Sequence, residues 1–537
     1  MDHIKLLDCT LRDGGYVNDW EFGKDNLVSI FERLVSSGVD IIEVGFLDQR
    51  REFDCNRSIM PDSSAVQKIY GRVDSKDAMI VGMIDYGTCG LPFIQPCQES
   101  YLDGIRVIFK KHLMKEAVAF CGELKRLGYQ VFTQAVSITS YSDGELMELI
   151  GLVNELKPYA VSMVDTYGLL QQNNLMHYFD LMDKHLLPEI GIGYHSHNNF
   201  QLAFSNCIEM LKKANTRFML VDGSLYGMGK SAGNAPTELL AMHMNERFGR
   251  RYDVNQLIEA IDGNIMKIYQ QTPWGYNLLF YLAASNKCHP NYVQRLLNKH
   301  TLSIKSINEI LDRITPDKKL LYDQEYLEEL YCRYQKTECD DSKSKEKLRL
   351  LLQGKKILLL GPGKSIKEEA GAIKRFMEEE GETVPIAINF VPDDISVRYV
   401  FLSNSRRYIR LNNALKESKN RNIQVIATSN VTKTAEQFSF VLNNEALLDE
   451  KAEFMDNSFV MLLKVLAEMK VASIVCAGLD GYSPQEDNYA NADMEYWFAK
   501  RKAYSLNQYV KDYLKRTDCP AISFLTRTYY QDEVQEK

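Results

Sequence analysis

Gly191-Ile192-Gly193-Tyr194-His195-Ser196-His197-Asn198-Asn199 is a short, largely apolar run that ends in two histidines and two asparagines. Side chains two apart on a strand share a face, so His195 and His197 point the same way where the strand stops. Seven further strand-like runs surround it: Ile4–Leu7, Ile41–Val44, Met79–Ile84, Gly104–Phe109, Gln130–Ala135, Ala160–Val164 and Phe218–Val221. Amphipathic segments such as Asp25–Ser37, Met114–Leu127 and Gly144–Leu156 lie between them. Eight strand-then-helix units in about 240 residues have the rhythm of a (β/α)8 TIM barrel. A doubly wound sheet shows the same alternation. The polar residues decide between them, because they cluster just after the strands' C-terminal ends, where a barrel keeps its active site.

The first strand runs into Leu7-Asp8-Cys9-Thr10-Leu11-Arg12-Asp13-Gly14-Gly15-Tyr16, placing a cation and a carboxylate at that face. Such a pair is also what a surface salt bridge looks like. The eighth strand leads into Asp222 and a loop, Gly223 to Pro236, that contains Gly227, Gly229 and Gly233. The loop reads either as a plain connector or as a lid over the mouth, with Gly229 and Ser231 near substrate and Asn234 as an oxygen ligand. Glu43, ending the second strand, is expected to be a buried partner holding Arg12. Asp165 and Thr166, from the sixth strand, complete the ring as expected substrate contacts. Two imidazoles on one face are two metal ligands, and a carboxylate across the barrel would be the third. Mixed histidine and carboxylate ligation suits Mn²⁺ or Mg²⁺, with Zn²⁺ a third candidate.

Beyond the barrel the pattern changes. From about 250 to 338 the sequence reads as consecutive helices. Cys339-Asp340-Asp341-Ser342-Lys343-Ser344-Lys345-Glu346-Lys347 is charged and without apolar periodicity. A second alternation then starts at Ile357–Leu360 and continues through Pro385–Ile388, Tyr399–Leu402, Val425–Ala427, Ser473–Cys476 and Ala521–Ser523. The expected division is a barrel over 1–250, a helical extension packed on it over 251–338, a linker over 339–355, and a small Rossmann-like α/β domain over 356–537. In that domain Gly361-Pro362-Gly363-Lys364-Ser365 is a strand-to-helix turn, so Gly361, Gly363 and Ser365 are candidate nucleotide or phosphate contacts. It lacks both the Walker spacing and the third glycine of a dinucleotide fingerprint.

Bulk properties narrow the function. The 537 residues are 45% hydrophobic and 25% charged, with a net charge of −8. That balance offers no basic footprint for nucleic acid. No apolar run reaches the roughly 18 residues of a membrane span. Eleven cysteines without a Cys-x-x-Cys pair suit reduced thiols and a cytoplasmic location.

The barrel resembles the DRE-TIM metallolyases, the family of 3-hydroxy-3-methylglutaryl-CoA lyase, isopropylmalate and homocitrate synthases, and 4-hydroxy-2-oxovalerate aldolase. The signature matches Arg12, Asp13 and Glu43, the His-x-His matches His195 and His197, and the Gly-Asn loop matches Gly233-Asn234. The helical stretch with His289-Pro290-Asn291-Tyr292-Val293 is most similar to the 4-hydroxy-2-oxovalerate aldolases. The resemblance implies a metal held by Asp13, His195 and His197, with Arg12 stabilising an enolate. It implies a small 2-oxo acid, pyruvate foremost, and an aldehyde-type partner, in a homo-oligomeric enzyme. Three positions depart from the family. Tyr16 stands where the aldolases keep a proton-transferring His, Lys230-Ser231 where acyl-CoA lyases carry a Cys, and Gly15 where condensing synthases carry a Glu. A Claisen-type acyl-CoA condensing enzyme and a non-catalytic scaffold are the alternatives to an aldolase. The C-terminal domain weakly resembles Rossmann-like domains associated with bacterial surface-glycan enzymes.

Overall fold

Strands buried on both faces read as unbroken apolar runs, and a parallel sheet covered by helices needs such strands. In the computed structural model these runs form β1 (Ile4–Asp8), β2 (Ile41–Leu47), β3 (Met79–Asp85), β4 (Gly104–Phe109), β5 (Gln130–Ala135), β6 (Ala160–Asp165), β7 (Gly191–Ser196) and β8 (Met219–Gly223). The structure describes residues 3–214, 217–299, 302–335, 339–417, 422–431, 438–449, 454–495, 497–516 and 519–531. Each of the eight strands pairs in parallel with its sequence neighbour, and β1 pairs with both β2 and β8. The sheet therefore closes, as expected for a TIM barrel. A two-residue strand, Ile59–Met60, adds to β2.

Helices follow seven of the eight strands. After β3 the connection holds only two three-residue 3-10 turns, Leu91–Phe93 and Cys97–Glu99. Gly90, Pro92 and Pro96 explain this departure from the expected eight units, since proline cannot supply the N–H that a helix interior needs. The main core lies between strands and helices, where Leu6, Ile42, Val107, Val131, Met163 and Ile192 meet Phe31, Val66 and Leu146.

The chain divides into two compact units, residues 1–290 and 291–537. The helices Val254–Ala260 and Leu278–Ser285 belong to the first. The second begins with the helices Pro290–Leu297, Ile304–Asp312 and Gln324–Gln335. Within the stretch expected as a linker, Ser342–Leu352 is helical, and its Leu348 and Leu352 join the second unit's core.

The second unit is built on seven parallel strands: β9 (Lys356–Leu360), β10 (Val384–Ile388), β11 (Tyr399–Leu402), β12 (Gln424–Thr428), β13 (Phe440–Leu442), β14 (Ser473–Ala477) and β15 (Ile522–Phe524). Their order is β13-β12-β11-β10-β9-β14-β15. This is the doubly wound arrangement expected, with one strand, β13, that the sequence does not announce. Cys476 is fully buried in its core.

Candidate metal centre and active site

The chain leaving β1 turns back on itself through an Asp13 N–H to Cys9 carbonyl bond of 2.8 Å. Trp20 Nε1 holds the Arg12 carbonyl at 2.8 Å. Arg12 and Asp13 are thus fixed at the C-terminal mouth of the barrel, 5% and 1% exposed. β7 delivers His195, and His197 follows directly beyond its end. One ligand atom from each of Asp13, His195 and His197 lies within 4.8 Å of the others. The two rings stand 5.1 Å apart, nearly perpendicular.

Each histidine has one nitrogen already engaged. His195 Nδ1 lies 2.9 Å from Asp222 Oδ2, and His197 Nδ1 lies 3.3 Å from the Gly233 carbonyl. Both Nε2 atoms are left for the centre, and His195 Nε2 is 3.9 Å from Asp13 Oδ1. A carboxylate or carbonyl behind a ligating imidazole fixes its tautomer and raises its basicity. Burial pushes His197 down to about 3, so it stays neutral, the form a ligand needs. Burial opposes ionisation of Asp13, but Arg12, His197 and His195 outweigh it and hold the carboxyl well below the usual range.

Asn234 sits against the same group. Its Nδ2 donates to Asp13 Oδ2 at 2.8 Å and to the Met228 carbonyl at 3.2 Å. Its Oδ1 is buried with no hydrogen-bond partner among the described residues. An orphaned acceptor beside two free imidazole nitrogens and a carboxylate is a donor set that fits a divalent cation. Gly229 lies against it so closely that a Cβ there would stand 2.2 Å from Asn234 Nδ2 and 2.5 Å from Asp13 Oδ2. The loop can pass over Asp13 only as glycine. The next residue's N–H, from Lys230, then reaches Asp13 Oδ2 at 3.1 Å. Ser231 follows in the left-handed region, φ 59°.

A chain of buried charges supports these ligands. Arg12 donates to Asp13 at 2.6 Å and to Glu43 at 2.7 Å. Arg106, fully buried in β4, donates to Asp222 at 2.5 Å and lies 3.1 Å from Glu43 Oε1. Burial works against both charges at the Arg106–Asp222 pair, yet Asp222 is held below the usual carboxylate range by Arg106 and His195. Asp222 carries no expected role from the sequence, and Arg106 is not singled out by it. An arginine inside the apolar run Gly104–Phe109 was the available signal, because a buried charge requires a partner. Asp222→Asn should weaken divalent-ion binding roughly 10–100-fold, the scale of losing an outer-shell partner. Metal titration of the folded variant checks this; parent-like affinity contradicts it.

The other expected residues divide. Tyr16 is 41% exposed at the mouth, packed on Trp20 and Phe46 with Lys230 Nζ 5.2 Å from its ring centre. Asp165 accepts the N–H groups of Leu169 and Leu170 at 2.8 and 3.0 Å, and Thr166 Oγ1 accepts that of Ser137 at 2.8 Å. Their polar atoms close turns around the ring. In the second unit, Ser365 gives its N–H to Asp480 at 2.9 Å and also donates its hydroxyl there.

Fold and residues together define a TIM barrel whose mouth holds a buried group, Asp13, His195 and His197, that could hold a divalent metal. Residues 3–262 match the HMGL-like family model, and this part of the chain is an HMGL-like domain of the DRE-TIM metallolyase type. A 4-hydroxy-2-oxovalerate aldolase of Geobacillus genomosp. 3 is 24% identical over 263 residues, covering 48% of this chain and 76% of its own. An oxaloacetate decarboxylase of Mycobacterium tuberculosis is 22% identical over 290 residues, with coverages of 51% and 82%. A solved hydroxymethylglutaryl-CoA lyase from Pseudomonas aeruginosa is 14% identical with a TM-score of 0.42, covering 55% of this chain and 97% of its own. Among the described residues no helix is long and apolar enough to cross a membrane.

Proposed function

We propose that the first unit is a divalent-metal-dependent lyase that makes or cleaves a C–C bond next to a 2-oxo acid, with pyruvate as the 2-oxo product or nucleophile. The observation that carries this reading is the buried group of Asp13, His195 and His197 at the mouth of an HMGL-like barrel. A cation held there, with Asn234 as a further oxygen donor and Mn²⁺ or Mg²⁺ as first choices, would supply Lewis-acid polarisation of the 2-oxo carbonyl. The remaining work falls to side chains of this chain. Arg12, kept charged by Glu43 and Asp13 against the cost of burial, faces the negative charge that develops when the C–C bond breaks and an enolate forms. Arg106 and Glu43 hold Arg12 and His195 in register.

Tyr16 is the proposed hydrogen-bond or proton donor to the alkoxide oxygen of the C–C bond being made or broken. Partial burial at the mouth pushes its phenol up to about 12, with Asp13 adding to the rise and Arg12 opposing it. At neutral pH it therefore carries its proton, which suits donation to the alkoxide in bond making; in cleavage it hydrogen-bonds the alkoxide after another base has taken the hydroxyl proton. Tyr16→Phe should lower kcat while metal content and 2-oxo-acid binding stay at parent levels. An unchanged kcat would reduce the tyrosine to shaping the pocket.

The experiment is to assay the metal-loaded protein for 2-oxo-acid release from a panel of 4-hydroxy-2-oxo acids, with oxaloacetate included. Aldehyde and pyruvate released in equal amounts support the aldolase. Turnover of oxaloacetate alone favours decarboxylation, the activity named for one relative. Free CoA released from acetyl-CoA in step with bond formation favours the condensing enzyme.

A further inference from the structure

The second unit contains a crevice of about 450 Å³, within the roughly 300–1,000 Å³ range of small-ligand sites. It opens at the C-terminal ends of the parallel strands. Gly363 after β9, Asn389 after β10, Asn404 after β11, and Asp480 and Tyr482 after β14 all line it. The strand order reverses between β9 and β14. Open α/β sheets bind ligands outside the carboxyl ends of their strands at such a reversal.

The walls describe the ligand. Four cations, Arg295, Lys299, Arg407 and Lys502, face two carboxylates, Asp456 and Asp480. Glu328 pairs with Arg295 and Lys299 from outside the wall, and Glu495 accepts from Asn488 of the wall, so the crevice carries both charges, with the cations on its lining. Arg407 is 4% exposed, donates to the neutral Met494 carbonyl at 2.7 Å, and lies 5.3 Å from the Tyr489 ring centre. Tyr482, Tyr489 and Tyr530 add aromatic surface, the first two with ring centres 6.4 Å apart. Cations beside aromatic faces match a molecule with a flat ring at one end and an anion at the other.

Two features exclude the dinucleotide mode. The turn after β9 is closed, because the Gly363 N–H already donates to the Gly478 carbonyl at 2.8 Å and Asp480 accepts the Ser365 N–H. β10 is followed by Asn389, whose Nδ2 donates to Ser458 at 2.8 Å, where a dinucleotide fold carries the acid that grips a ribose diol. We propose that the second unit binds a nucleoside mono- or diphosphate in this crevice, its base against the tyrosines and its phosphate toward Arg407 and Lys502. The phosphate is thus proposed at the cationic wall and not at Gly361, Gly363 and Ser365, the candidate contacts read from the sequence.

Calorimetric titration of the full chain with UMP, CMP, AMP, GMP, their diphosphates, NAD⁺ and inorganic phosphate tests this. At least one nucleoside phosphate should bind in the micromolar range. Lys502→Ala and Arg407→Lys should each weaken it roughly 10-fold, and Asp13→Asn should leave it unchanged. Lys502 is exposed, so its variant keeps the test decisive if Arg407→Lys does not fold. The proposal fails if no nucleoside phosphate binds at millimolar concentration, or if inorganic phosphate or NAD⁺ binds as tightly. It fails equally if binding survives Lys502→Ala undiminished or disappears with Asp13→Asn.

Discussion

Asp13→Asn should fold, bind no divalent ion at concentrations that saturate the parent, and turn over at background rate. Asparagine keeps the shape of the side chain, and its oxygen can still accept from Arg12, which reaches Asp13 Oδ1 at 2.6 Å. What disappears is the negative charge beside the two imidazoles. A site with three charged or imidazole donors cannot spare its one anion, so the loss should exceed the roughly 10–100-fold effect of removing an outer partner. The Lys230 N–H and Asn234 amide at Asp13 Oδ2 would also face an amide NH₂ in one of its two orientations, which disturbs Asn234. Metal analysis after gel filtration and a turnover assay read both effects. A variant with stoichiometric metal would remove Asp13 from the ligand set.

Arg12→Ala should separate chemistry from metal binding. The guanidinium bridges Glu43 and Asp13 but supplies no ligand atom. At saturating divalent ion the metal content should therefore stay near the parent's while kcat falls by roughly 10²–10³-fold, the scale of deleting one preorganised charge-stabilising donor. Arg12→Lys should recover little, because an ammonium cannot reach two carboxylates with a fixed fork. If only KM rises, Arg12 binds the ground state and the enolate must be stabilised elsewhere.

The barrel is legible in the sequence because its parallel strands are buried on both faces and so appear as clean apolar runs. His195 and His197 are legible for a local reason, the two-residue period of a strand. Glu43 as the partner of Arg12, 31 residues away, is legible because the two belong to successive strand units. The Arg106–Asp222 pair is not, because the two are 116 residues apart and only the closed sheet brings them together. β13 escapes for the opposite reason, since three residues at a sheet edge, Phe440–Leu442, are too few to display a period. Asp165 and Thr166 look like site residues because they follow a strand of the barrel. Whether such a polar group faces a ligand or a turn N–H depends on the next few backbone angles.

The most direct test strips the protein with chelator, titrates Mn²⁺ back, and follows bound metal and pyruvate release from a 4-hydroxy-2-oxo acid together. One ion per chain should restore turnover in proportion to occupancy, and His195→Ala should show neither binding nor turnover under the same conditions. Full pyruvate release by the chelated protein, or by His195→Ala, would contradict the account.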